Sequence, residues 1–471
     1  MIELKYKQLL DIVKGKPLPE GPFADFRIKG LSIDSRTIEP QNLFIAIKGE
    51  KFDGHDFIKQ ALDKGASCAV ISEGRLSDRE IPYLSSTSGK RAVLVKDTRT
   101  ALQNIARWYR DKFKVKIVAI TGTNGKTTTK EMIAEILSKK YNVLRSEKSF
   151  NNQVGVPLTL LKITSETGVL VLELGMNQPG EIGILTRMVN PDMGLITNIG
   201  PAHLEFMGSL EKIAQAKFEL LENMDEKGKI VLNADDPWLS KKAKTEKRKV
   251  YTFGLEKEAD FAASNIVQNA NGFFSFSANG TVPISLKLLG KHNIYNALAA
   301  FSVGSILKVE NEKIKEALED YTPLQLRMEL SEVDGIKILN DSYNANPVSM
   351  QMALETLKEM KTSGNKVAVL GDMLELGEKS LEYHKKIGER VKECQIDYLF
   401  TLGELSSGIT QGAKEKGLKS ENIFPFKDKK SLLETLLEIL KPGDVVLFKG
   451  SRKMGLEEIV EGLKKLYPVK S

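Results

Sequence analysis

The residues best placed to do chemistry lie in one run, Val115-Lys-Ile-Val-Ala-Ile-Thr-Gly-Thr-Asn-Gly-Lys-Thr-Thr-Thr-Lys130. An apolar strand enters a glycine-containing bend, and the helix-forming stretch EMIAEILSKK follows. Such a bend converges backbone N–H groups and a helix N-terminus on one point, which is what a phosphate requires. In this reading Gly122, Thr123, Asn124 and Gly125 make the cradle and Lys126 reaches the β- and γ-phosphates. The Thr127 hydroxyl ligates Mg²⁺, and Thr128 continues the helix start. The general pattern G-x-x-x-x-G-K-T is not met, because Ile120 takes the place of its first glycine. A strand-to-helix turn that merely contains Gly-Lys is the alternative, and the agreement of strand, bend, GKTT and helix argues against it.

Three more side chains are candidates. Glu173 closes the apolar run VLVLELGMN at a strand end, where ligands collect in α/β sheets; a carboxylate there suits Mg²⁺, and a solvated strand end is the other explanation. His203 follows a strand in LITNIGPAHLEFMG. With four histidines in the chain it belongs to no His-rich zinc cluster, and a loop histidine without a role stays open. Lys217 lies in SLEKIAQAKFELLENM on the helical face of Leu210, Ile213, Ala214, Leu221 and Met224. A lysine there must snorkel, pair or lose its charge. Burial favours the neutral, nucleophilic amine, hence modification or a place at a metal site, with snorkelling as the alternative.

At 471 residues the chain has length for about three domains of roughly 100–200 residues each. Its 41% hydrophobic and 28% charged residues are ordinary for a folded protein and exclude a disordered one. The spacing predicts an α/β protein. Residues 1–96 form a small α/β domain, with strands in FRIKGLSID, NLFIAIKG and CAVISE. Its helix, HDFIKQALDKG, presents Phe57, Ile58, Ala61 and Leu62 on its apolar face. Residues 97–321 open with the helix DTRTALQNIARWYRDKF, capped by Asp97 or Thr98. A mainly parallel sheet follows from VKIVAI, VLVLELG, GLITNIG, KIVLNAD and KVYTFG, and a small antiparallel appendage turns at Asn279-Gly280. Residues 322–471, after a break at Pro323, carry IKILND, KVAVLGD, DYLFTLG and DVVLFKG in a doubly wound, Rossmann-like unit.

No run approaches the roughly 18 apolar residues of a membrane helix, and the start lacks an apolar signal core, so a cytoplasmic protein without a membrane span is expected. Cys68 and Cys394 are far apart in apolar runs and suggest neither disulfide nor metal site. The net charge of +7 is spread out. Its densest run, KKAKTEKRK at 241–249, holds an acid and no aromatic, which favours a solvated segment over a nucleic-acid site. A mildly basic protein handling anionic metabolites is the expectation.

Taken in order, these segments resemble the Mur ligase family, ATP-dependent amide-forming enzymes of peptidoglycan precursor synthesis, over essentially the whole chain. TGTNGKTTTKEM resembles that family's phosphate loop, and KSFNNQVGVPLTLL, ELGMN, NIGPAHLE and AQAKFE follow in the family's order. The resemblance implies a catalytic set of Lys126, Glu173, His203 and Lys217. Thr127, Glu173, His203 and Lys217 would serve two Mg²⁺ ions, with Lys217 carried as a carbamate. It implies Asn293 and Asn296 of GKHNIYNALAA on the adenine, Arg327 of LQLRMEL near the nucleotide and Asp341 of NDSYNANPVSM at the ribose. Ser35 and Arg36 would meet a uridine diphosphate on the first domain, and Asn151 and Asn152 a muropeptide.

The flanks SIDSRTIEPQNLFIAIKGEKFDGHDFI, NDSYNANPVSM, GDMLELGEKSLEYH and VLFKGSRKMGLEEIV resemble those members that join D-alanyl-D-alanine to UDP-N-acetylmuramoyl-tripeptide, rather than those adding single amino acids. A monomer that closes about linkers near 97 and 322 is implied, with ATP between the second and third domains. Folylpolyglutamate synthase shares the ATP chemistry but not the front segment, and a P-loop switch would carry a base-specificity motif such as NKxD, which is not found.

Overall fold

The computed structural model describes residues 2–19, 25–75, 91–147 and 150–466. Lys148 and Ser149 of the KSFNNQ segment lie outside them. Near the N-terminus five strands order as Lys16–Leu18, Ala92–Val95, Cys68–Ser72, Leu43–Ile45 and Leu31–Ser32, parallel except for the first. The stretch predicted as one helix is a 3₁₀ turn, Gly54–Phe57, followed by a short α-helix, Ile58–Asp63. The tighter turn takes Phe57 off the face that buries Ile58, Ala61 and Leu62 and leaves it 37% exposed. Cys68 and Cys394 are free and buried.

Helix Thr98–Arg110 begins where Asp97 accepts from the Arg99 N–H, and it ends in Arg107 and Arg110, which suit its C-terminal dipole. Its buried Ala101, Leu102, Ile105 and Tyr109 share one core with Leu9 and Val70 in front and Leu160 and Leu185 behind. It therefore cements the first sheet to the next.

The central sheet has nine strands. Lys116–Thr121 sits inside it, between Val169–Glu173 on one side and Met193–Ile196 on the other. Val143–Arg145 flanks the former; Lys229–Asn233 and Val250–Gly254 extend the latter, all in parallel. The inner strands Lys116–Thr121, Val169–Glu173, Met193–Ile196 and Lys229–Asn233 are buried on both faces over nearly their whole length, as continuous apolar runs require. Chain order reverses at Lys116–Thr121, and the loop after a strand at such a switch point faces the ligand crevice.

The predicted antiparallel appendage is the strands Phe261–Gln268, Phe273–Ala278 and Val282–Leu289, which continue this sheet at its edge. Asn279 and Gly280 both take positive φ in the hairpin turn, at 49° and 71°. Val282, Ile284, Leu286 and Leu288 alternate inward and pack with helices His292–Ile306 and Asn311–Asp320 into the second core.

The third sheet orders as Glu329–Val333, Ile336–Asn340, Val445–Lys449, Lys366–Gly371, Tyr398–Leu402 and Ile423–Phe426, with only the first strand antiparallel. Helices cover both faces, giving two cores, one around Leu354, Leu370 and Ile387 and one around Phe400, Leu436 and Phe448. Among the described residues no helix is long and apolar enough to cross a membrane.

Candidate active site

Strand Lys116–Thr121 ends in the bend, and helix Lys126–Ser138 begins with Gly125 as its N-cap at φ 78°. No acidic side chain occupies the first turn, so its N–H groups have no local carboxylate partner. A Cβ on Gly122 would sit 1.9 Å from Thr197 Oγ1, and one on Gly125 2.3 Å from Asn296 Oδ1, so both positions need glycine. The bend is tied down from the neighbouring strand end. Asn198 Oδ1 accepts from Asn124 N–H at 2.9 Å, and Thr197 Oγ1 donates to Asn124 O at 2.6 Å.

The loop borders a cavity of about 310 Å³ whose wall includes every predicted phosphate-loop residue, together with Glu173, His203, Lys217, Asn151, Asn293, Asn296, Arg327 and Asp341. Lys126 Nζ donates to Gly122 O at 2.9 Å and Thr123 O at 3.0 Å. Burial draws its pKa down, the Glu173 carboxylate opposes that, and Arg327 adds to it. Thr127 Oγ1 donates to Glu173 Oε2 at 2.7 Å and accepts from Arg327 Nη2 at 3.1 Å. Glu173 Oε1 accepts from Asn151 Nδ2 at 2.8 Å. Arg327 stacks on Tyr343 with its Cζ 3.9 Å from the ring centre, which fixes the guanidinium plane.

Lys217 is 4% exposed, which rules out snorkelling. Its Nζ donates to Gly122 O at 3.0 Å, so two lysines share one carbonyl. Burial first, then the neighbouring Lys126 cation, pull its pKa well below the usual lysine range against the pull of Glu173. His203 takes positive φ, 55°, and its Nδ1 lies 2.6 Å from Glu375 Oε2 of the third unit.

Asn293 and Asn296 stand on one face of helix His292–Ile306. Asn296 Nδ2 donates to Asn293 Oδ1 at 2.8 Å, and Thr129 Oγ1 donates to Asn296 Oδ1 at 3.3 Å. A second cavity of about 300 Å³ lies beyond Asn296, lined by Asn124, Gly125, Asp235, Asp236 and Tyr295. Asp341 accepts from Lys449 Nζ at 2.5 Å and from Met328 N–H at 3.2 Å.

Three predicted residues fall elsewhere. Asn152 is exposed, and its Oδ1 caps helix Gly155–Leu160 by accepting from the N–H groups of Gly155 and Val154 at 2.8 and 3.1 Å. Ser35 and Arg36 belong to the first sheet's loops, away from both cavities. Ser35 Oγ donates to Gln60 at 2.7 Å, while Arg36 chelates Asp34 at 2.6 to 3.1 Å and holds that carboxyl down to about 2. Sequence reasoning missed Lys449, Glu375, Tyr343 and Asn346. Asn346 Nδ2 donates to Asn124 Oδ1 at 2.8 Å, linking the third unit to the phosphate loop. Lys449 and Glu375 stood in quoted motifs, KGSR and GDMLELG, that carried no chemical assignment.

A phosphate loop at the switch point of a parallel sheet, faced by Arg327, Asp341 and Lys449 from another sheet, defines a nucleotide-using enzyme with a site divided between two units. Sequence comparison agrees in detail. Residues 27–110 match the Mur ligase family catalytic domain, 120–304 the Mur ligase middle domain, and 326–452 the Mur ligase glutamate ligase domain. UDP-N-acetylmuramoyl-tripeptide--D-alanyl-D-alanine ligase of Bacillus subtilis is 37% identical over 98% of this chain and 99% of its own, and that of Escherichia coli is 37% identical with the same coverage. The crystal structure of MurF from Acinetobacter baumannii superposes with a TM-score of 0.89 at 30% identity, covering 99% of each chain. MurF ligase from Thermotoga maritima in complex with ADP gives 0.82 at 28% identity over 94% of this chain and 99% of that one. The chain belongs to the Mur ligase family.

Proposed function

We propose that this chain joins D-alanyl-D-alanine to UDP-N-acetylmuramoyl-tripeptide, forming an amide bond while ATP becomes ADP and phosphate. One observation carries the reading. In a chain alignable end to end with ligases of that name, Lys126, Thr127, Glu173 and Arg327 converge on a single cavity beside the loop. We assign the three sheets to domains 1–96, 97–321 and 322–471, with ATP held between the second and third.

Amide formation from a carboxylate and an amine in water is uphill, so the acid needs a leaving group. The tripeptide's terminal carboxylate oxygen attacks the γ-phosphorus, a new P–O bond forms, and the P–O bond to ADP breaks. Lys126, the helix N-terminus and Arg327 offset the charge spreading over the phosphoryl oxygens. The dipeptide's amine then attacks the acyl carbon. The tetrahedral intermediate expels phosphate as the C–O bond breaks, and the amine's surplus proton leaves with phosphate or solvent. Positioning supplies the rate, and no covalent enzyme intermediate is needed.

Thr127 and Glu173 present adjacent oxygen donors, the hard set that suits Mg²⁺. His203 on the same cavity wall would be a further protein ligand, with substrate phosphates and water completing the shell. Bound there, Mg²⁺ adds positive charge opposite the phosphoryl oxygens. Lys217 as an ammonium would repel a cation. Addition of CO₂ to its neutral form makes an N–C bond, releases a proton and leaves a carbamate that can bind one. Asn293 and Asn296 face the adenine side, Asp341 the ribose, Asn151 the muropeptide, and Ser35 and Arg36 the uridine diphosphate. The protein acts as a cytoplasmic monomer. Phosphate release should require both the UDP-tripeptide and D-alanyl-D-alanine, and turnover with neither would contradict the reading. UDP-tripeptides differing only at the third residue identify the preferred diamine.

A further inference from the structure

The loop that follows strand Lys366–Gly371 is built with unusual redundancy for a surface segment. Asp372 Oδ1 accepts from Ser406 N–H at 2.7 Å, and its carbonyl accepts from Ser451 N–H at 3.0 Å. Met373 N–H donates to Nε2 of the fully buried His384 at 2.9 Å, which puts that imidazole's proton on Nδ1, 2.7 Å from Ser380 O. Leu374 N–H donates to Ser451 Oγ at 2.8 Å. Met373 and Leu376 are buried anchors on either side. The residue held up between them is Glu375, at φ 63°, a left-handed conformation that a non-glycine residue adopts only when its surroundings impose it.

That residue reaches the central unit twice. Its carbonyl accepts from Glu205 N–H at 3.1 Å, and its Oε2 lies 2.6 Å from His203 Nδ1. His203 is itself left-handed, at φ 55°, and lines the cavity. Among the described residues no hydrogen bond is made to its Nε2. A carboxylate on one ring nitrogen fixes the tautomer, and it leaves the lone pair on the other. Two motifs that had no chemical task, GDMLELGEKSLEYH and KGSR, thus supply the scaffold for one carboxylate.

We propose that Glu375 is a positioning residue: it holds the Nδ1 proton of His203, keeps Nε2 as the free lone pair, and so makes divalent-cation binding at His203 depend on docking of the third unit. This rests on the reading of His203 as a metal ligand. The rival is an ion pair between imidazolium and carboxylate that only clamps the two units.

The test titrates Mn²⁺ by electron paramagnetic resonance into the full chain with a non-hydrolysable ATP analogue bound. The two side chains are 29% and 43% exposed, so substitutions there leave the core intact. Glu375→Ala should weaken Mn²⁺ binding by roughly 10- to 100-fold, the usual loss for a partner behind a metal ligand. Glu375→Gln, whose amide oxygen still accepts from Nδ1–H, should recover to within a few-fold of the parent. A parent-like affinity in Glu375→Ala, with binding weakened in His203→Ala, overturns the positioning role alone. Unchanged affinity in His203→Ala overturns the metal reading itself. Glu375→Gln as weak as Glu375→Ala, with small-angle scattering showing a more open chain, establishes the clamp and also overturns the proposal.

Discussion

Replacing Thr127 with valine tests the centre of the site through a single hydroxyl. Threonine and valine are both β-branched with similar helix propensity, so the exchange leaves backbone preference nearly unchanged. What it removes is the 2.7 Å donor to Glu173 Oε2 and the 3.1 Å acceptor of Arg327 Nη2, at a residue 6% exposed. A hydrogen bond to a charged group contributes about 1.5–3 kcal/mol, and Glu173 is itself only 2% exposed, so the change takes from its Oε2 the one protein donor it has among the described residues. Chemical denaturation should therefore show the nucleotide-binding unit destabilised by about 1.5–3 kcal/mol. Turnover should fall more steeply, by on the order of 10²-fold, because the same oxygen serves the phosphoryl centre. Thr127→Ser keeps the hydroxyl and forfeits one methyl, worth about 0.8 kcal/mol. Its turnover should stay within about tenfold of the parent. Valine with parent-like kinetics, or serine as impaired as valine, would refute the assignment.

Other expectations follow from single contacts. Asn346→Asp keeps the cap on Ser349 N–H but gives up the donor to Asn124, so thermal unfolding should be unchanged while the KM for ATP rises roughly 2- to 12-fold, the value of one neutral hydrogen bond. His384 is buried, and desolvation pulls its pKa below the usual histidine range, against the Ser380 carbonyl and Asp372. The unfolded chain therefore binds the proton first as pH falls, and stability should drop below about pH 6.5. His384→Gln should flatten that slope in thermal melts between pH 7 and 5; an equal slope would remove His384 as its source. Lys217, with its amine biased to neutrality, should give one carbamate signal by ¹³C NMR in labelled bicarbonate, absent in Lys217→Arg.

Much of the architecture was legible because period and length agree. The strand, bend and helix around Lys126 announce themselves within sixteen residues, and the Asn279-Gly280 hairpin needs only its turn chemistry. Several short strands escaped notice, among them Lys16–Leu18, Ala92–Val95 and Val143–Arg145, and two at the edges of the third sheet show why. Ile423–Phe426 is a four-residue edge carrying Pro425, and Glu329–Val333 is a half-exposed edge without an apolar run. The site residues visible in sequence are those set by local geometry, such as Gly122 or Lys126. Pairings such as Thr127 with Arg327 or His203 with Glu375 join distant segments, and only the packing of two sheets determines them. Asn152 is instructive: an asparagine three residues ahead of a helix's first residue can accept from the helix N–H groups, a local role that sequence alone does not separate from ligand contact.

The central claim is that the tripeptide's acid is activated by phosphorylation. Labelling that carboxylate with ¹⁸O and analysing the phosphate released with ATP and D-alanyl-D-alanine tests it most directly. The account predicts one ¹⁸O atom in each phosphate for every amide bond formed; phosphate carrying oxygen from water alone would contradict it.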